Sequence, residues 1–207
     1  MTSLLPLFLS AALAGSPGGH WETKPYIQPR VNIRAVSVNG KLTAQAVLGA
    51  EGGLQYNKLG SPWQGRTRLS AIGMYGLTSG SLGADVRLGS FIGPKFGIFR
   101  YEVGPDFWYN GYGKTNATDY HLPWSPGVSI PNTVILSFHE MFGVLGSATP
   151  GWAFLPERAG GGIGPFHEFT LLGALMLRLG GAGITVGYQS TWDSAGVTKG
   201  VVFSGSL

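Results

Sequence analysis

The sequence predicts an all-β protein: an antiparallel β-barrel of about eight strands over residues 41–207, with a soluble β-barrel or sandwich as the alternative use of the same strands. Three observations lead there. Glycine supplies 35 of the 207 residues, and at about 1 kcal/mol per interior helix position that excludes a helical bundle. Only 12% of residues are charged, about half the usual share of a soluble domain, while 43% are hydrophobic. Large apolar side chains then recur at every second position, the period of a strand, through most of the chain.

Taken from the N-terminus, residues 4–14 form an apolar run ending in Ala12, Leu13 and Ala14, which predicts a secretory leader over residues 1–15. Residues 16–40 are assigned to an N-terminal extension: 31–38 before Asn39-Gly40 has strand character, but a ninth strand would break the even count of a closed bacterial barrel. The barrel domain, 41–207, then divides into strands near 42–56, 68–78, 82–93, 98–110, 133–146, 166–179, 184–193 and 198–207. In the third, Leu82, Ala84, Val86, Leu88 and Ile92 share one face, and Gly83, Asp85, Arg87 and Gly89 the other. In the fourth, Phe99, Tyr101, Val103, Phe107 and Tyr109 separate from Arg100, Glu102, Asp106 and Asn110. In the sixth, Phe169, Leu171, Leu175, Leu177 and Leu179 separate from Glu168, Thr170, Ala174 and Arg178.

Short turns are expected at Ser79-Gly80-Ser81, Gly93-Pro94-Lys95 and Gly180-Gly181-Ala182, and longer loops over 57–65, 111–132 and 147–165. With Pro94 and Lys95 at a turn centre, Arg87 falls opposite Glu102. Pro105, inside the fourth strand, cannot donate to a ladder, so a bulge or strand break is expected near Gly104.

Alternation alone does not say which face meets water, because soluble and membrane barrels are inverses of each other. Lysine placement decides it. Lys24, Lys41, Lys58, Lys95, Lys114 and Lys199 all fall in predicted turns, loops or strand ends, whereas a water-facing sheet carries lysine along its middle. The polar face therefore lines a narrow lumen, and the apolar face meets lipid. The expected interior charge network is Asp85, Arg87, Arg100, Glu102, Asp106, Glu168 and Arg178. Aromatic residues such as Tyr56, Trp63, Trp108, Tyr112 and Trp192 gather toward strand ends, as interfacial girdles require.

The chain ends with Val201, Phe203, Gly205 and Leu207 on one parity, and this alternating C-terminal strand resembles the assembly signal of bacterial outer-membrane barrels, with Leu207 where a terminal aromatic is commonest. With the Gly-Pro steps at 93–94, 104–105 and 164–165, residues 42–207 resemble small outer-membrane barrels of the OmpA, OmpX and OmpW kind. The resemblance implies export through the periplasm, a bacterial outer-membrane location, contact with the lipid bilayer and lipopolysaccharide, and a structural, adhesive or small-solute contact role.

Chemistry is sparse. Without cysteine there are no disulfides and no thiolate sites, and the +4 charge is scattered rather than clustered for a phosphate backbone, so no nucleic-acid partner is expected. Neither a cofactor nor a metal is expected. His139-Glu140 and His167-Glu168 are tempting pairs, but neighbours on a strand point to opposite faces. Ser137 and His139, two apart and so on one face, resemble the nucleophile and base of barrel lipid hydrolases in reversed order, which keeps an outer-membrane hydrolase as an alternative beside a secreted barrel binding an apolar ligand. Asn116-Ala117-Thr118 fits a glycosylation sequon.

Overall fold

In the computed structural model the described residues are 21–38, 41–77, 80–113, 122–158, 163–179, 182–194 and 196–206; the expected leader and sequon lie outside them. They form twelve strand segments: β1 (Trp21–Val38), β2 (Lys41–Lys58), β3 (Trp63–Gly76), β4 (Leu82–Phe96), β5 (Phe99–Val103), β6 (Asp106–Tyr112), β7 (Leu122–Ser129), β8 (Asn132–Ser137), β9 (Phe142–Ala153), β10 (Glu168–Leu179), β11 (Ala182–Asp193) and β12 (Gly196–Ser206). A short 3-10 turn, Pro156–Arg158, lies between β9 and β10. All pairings are antiparallel, and the β1–β12 seam closes the sheet into a barrel.

The barrel has ten staves rather than about eight. β5 and β6 are two halves of one stave, because Ile92 faces Val103 and Gly89 faces Asp106 in a single uninterrupted register. The interruption is Pro105, which has no N–H to give but still accepts from Ser90 N–H at 3.0 Å. Of the bulge or strand break expected near Gly104, the structure shows the break: the strand is interrupted at 104–105 without any shift of register. β7 and β8 likewise form one stave across Pro131, with Ser129 facing Gly151 and Asn132 facing Ala148.

One of the additional staves is β1. Residues 31–38, assigned from sequence to an N-terminal extension, pair with β12 on one side and β2 on the other, so they are part of the barrel wall. Residues 21–30 pair with β2 alone among the described residues. Pro25 and Pro29 on this one-sided segment suit an edge that must not recruit another strand.

An even stave count brings Trp21 and Ser206 to the same end, with the connections 59–62, 97–98, 138–141 and 180–181. The opposite end, called the loop end below, receives the longer connections 113–121 and 154–167. Two sequence expectations change here: 57–65 reduces to the tight connection 59–62, and most of the described residues of 111–132 are strand. The turn expected at Gly93–Lys95 is also displaced. β4 runs through to Phe96, and the reversal is made at Gly97, whose φ of +54° is open to glycine.

The faces follow the two-residue period. Leu82, Val86, Leu88 and Ile92 of β4 point outward and are exposed, as are Ile27, Leu48, Leu69, Phe107, Leu171, Leu175, Ile184 and Phe203 on other staves. Inward positions hold buried Gln45, Glu51, Ser70, Asp85, Glu102, Asp106, Asn110 and Thr191. The protein is an apolar-skinned barrel with ionised groups enclosed.

Candidate functional site: a charge lattice and a plugged mouth

The interior is dominated by arginines on one wall. β3 alternates so that Arg66 and Arg68 project inward beside Glu51 of β2, and Arg30 of β1 approaches from the other side. Glu51 accepts from Arg30 at 2.8 Å, lies 3.4 Å from Arg66 and 3.8 Å from Arg68, and also accepts from the Tyr26 hydroxyl at 3.1 Å. From there the lattice branches. Arg66 Nε lies 3.2 Å from Glu102, which Arg100 also holds. Arg68 donates to Asp106 at 2.6 Å, Asp106 lies 3.3 Å from Arg87, and Arg87 clamps Asp85 through Nε at 2.9 Å and a terminal nitrogen at 2.7 Å. Beneath them Phe91 offers its ring to Arg66 and Arg68, at 5.2 and 4.9 Å. Glu102 and Asp106 are essentially without solvent exposure, and each faces two guanidiniums, which offsets the cost of enclosing a carboxylate.

Of the residues expected from sequence, Asp85, Arg87, Arg100, Glu102 and Asp106 thus belong to one connected lattice, but with different partners than the sequence register implied. Moving the turn to Gly97 places Trp108, not Glu102, opposite Arg87. Glu168 is separate from the lattice in its ion pairing and meets Arg158 instead. Arg178 is exposed near the end of β10 and makes none of the ion pairs found among the described residues. Arg30, Glu51, Arg66 and Arg68 escaped the sequence reading, although Glu51 and Gln45 share a parity, as do Arg66, Arg68 and Ser70.

Arg158 had no sequence signal at all. It lies in the 3-10 turn of the β9–β10 connection, yet its side chain is only 1% exposed, because that connection folds back into the loop-end mouth. The guanidinium lies over the Trp108 ring at 4.8 Å, donates to Glu168 at 2.9 Å, and donates to the Asn110 side chain. Trp108 can lie flat there because its stave neighbour is Gly127: a Cβ at that position would stand 2.1 Å from the indole. Gly127→Ala is therefore expected to cost about 1–3 kcal/mol by overpacking, seen as a lower melting temperature in detergent; an unchanged value would mean that the indole is free to move.

Below Arg158 the lumen retains a cavity of about 430 Å³. One side presents Arg30, Glu51, Arg68, Asp85 and Arg87, and the other hydroxyl and amide groups such as Thr149, Thr170, Gln189 and Thr191 together with the charged Glu168, Asp193 and Lys199. Neither described histidine lines it. His139 lies in the exposed turn after β8, its Nδ1 accepting from Met141 N–H at 3.2 Å, and His167 Nδ1 lies 3.0 Å from the Ala153 carbonyl. Ser137 ends β8 just before that turn, so strand alternation does not carry on to His139 and no longer places the two on one face. Among the described residues no group of three or more His, Asp or Glu side chains could hold a metal ion.

No protein-family model matches the chain, and no curated protein matches it. Among solved structures, the translocator domain of autotransporter NalP from Neisseria meningitidis is similar at 10% identity and a TM-score of 0.40, covering 97% of this chain and 92% of that one.

Proposed function

We propose that the chain is an integral β-barrel of a bacterial outer membrane, exported through the periplasm, whose lumen is closed to bulk diffusion and whose role is structural or one of contact at the loop end. Its partners on this reading are the lipid bilayer and lipopolysaccharide. The supporting observation is the inversion of the usual surface: exposed Leu, Ile, Val and Phe on the outward parity of the staves, with carboxylates and guanidiniums paired inside. In water such a skin would be a large aggregation-prone patch, whereas acyl chains match it. Trp152, Phe166, Phe169 and Trp192 contact one another in series near the loop end, and Trp21, Tyr56, Trp63 and Phe142 lie toward the other, which suits two headgroup girdles. The short connections at the end that holds Trp21 and Ser206 fit the periplasmic side, and the longer ones the cell exterior.

The direct test is reconstitution. The protein is expected to partition into detergent or vesicles, to migrate faster unboiled than boiled on a detergent gel, and to leave a planar bilayer almost non-conducting. Recovery in the aqueous phase without detergent would overturn the membrane reading in favour of a secreted carrier, and large stable conductance steps would overturn the closed lumen.

A further inference from the structure

We propose that the loop-end mouth is a guanidinium-binding site, occupied in cis by Arg158, and that its ligand in trans is a molecule presenting an arginine side chain. The receptor is built from the wall rather than from the connection that fills it. Trp108 and Asn110 stand on β6, Glu168 opens β10, and the Pro123 carbonyl belongs to β7. Their chemistry is of one kind: a flat aromatic face at 4.8 Å, a carboxylate at 2.9 Å, the Asn110 amide and carbonyl oxygens, and the Pro123 carbonyl at 3.5 Å. Among the described residues every contact found for the guanidinium is an acceptor or a π face, and they are spread so that a planar group with five donors reaches them together. An ammonium group offers three donors on a compact point charge and cannot both lie flat on the indole and spread across that set.

Two further facts set Arg158 apart. The arginines of the lattice stand on staves and meet carboxylates of other staves or of their own, so they are part of the wall. Arg158 comes from a connection between staves, so its place can be taken without dismantling a stave. Asn110 and Glu168 also line the 430 Å³ cavity, so whatever occupies the mouth caps that cavity at the loop end. The site rests on the mouth geometry alone and holds whether or not the barrel resides in a membrane.

The test is rescue in trans. Arg158→Ala in detergent is expected to melt below the parent protein, and ethylguanidinium at millimolar concentration is expected to raise its melting temperature saturably by several degrees. Ethylammonium should not do so, the parent protein should not respond at these concentrations, and Glu168→Gln added to Arg158→Ala should abolish the response. L-arginine amide and triarginine distinguish the source: a rise with the amide alone assigns a small molecule, and a rise with both admits a peptide. Folded Arg158→Ala that answers ethylguanidinium and ethylammonium equally, or neither, overturns the proposal. Should Arg158→Ala fail to fold, Arg158→Lys takes its place in the same titration, with the same rise expected and the absence of a rise overturning the site.

Discussion

Asp106→Ala is expected to be the most damaging single change in the barrel. Asp106 is wholly enclosed and stands between Arg68 at 2.6 Å and Arg87 at 3.3 Å. Removing it leaves two guanidiniums facing each other across a cavity, and loss of one partner of a buried ion pair costs about 3–5 kcal/mol because the remaining charge is uncompensated. Arg68 keeps a longer contact with Glu51 and Arg87 keeps Asp85, so the barrel should still assemble but with a clearly lowered melting temperature in detergent. The double variant Asp106→Ala with Arg68→Ala should lose less than the two single losses added together, since it removes one stranded cation along with the carboxylate. Strict additivity would mean that water already screens the pair. Arg87→Ala is the weaker relative of this experiment: it strands Asp85, whose ion-pair partner is Arg87, rather than Glu102.

The second large effect tests the outer face. Leu175 stands near the middle of β10, is 67% exposed, and lies between Val144 and Val186 on the neighbouring staves. Leu175→Arg should cost about 2–4 kcal/mol in refolding equilibria with lipid vesicles, the penalty for arginine near a bilayer midplane. In water the same substitution at an exposed strand position would be close to neutral, about ±0.5 kcal/mol. Leu155→Arg is the control, because Leu155 is exposed on the connection beyond β9 rather than on a stave. If both variants refold like the parent, the apolar skin does not contact acyl chains.

The same two residues mark what kinds of information the chain carries. That Leu175 falls on the apolar face of its strand and Asp106 on the polar face of its own follows from parity within a single strand. A misplaced turn cannot disturb it, since sliding a hairpin centre by any whole number of residues moves each partner by an even number. The true turn at Gly97 shows this directly: it shifts the residue opposite Arg87 from Glu102 to Trp108, while Arg87, Glu102 and Asp106 all stay on the inner face. Partner identity had no such protection. Whether Arg87 meets Glu102 or Asp106 depends on where β4 stops, and the Gly93-Pro94 step imitated a turn that the chain makes at Gly97 instead.

Stave number was hidden for a related reason. β1 carries Pro25 and Pro29, which read as punctuation in a linear sequence but are harmless on a segment paired along one side. In the stretch 111–132, assigned to a loop, β7 contains Pro123 and Pro126, and pairing with β6 and β9 fixes it as strand in spite of them.

By itself, then, the sequence determined that this chain is built of strands whose apolar and polar side chains fall on opposite faces, because a two-residue period is written locally and needs no knowledge of a partner, and the placement of its lysines pointed the apolar face outward. Only the tertiary structure decided that there are ten staves, which guanidinium meets which carboxylate, and that Arg158 returns to stopper the mouth. Each of those depends on residues distant in sequence meeting through closure of the sheet, and the free energy of that meeting resides in neither segment alone.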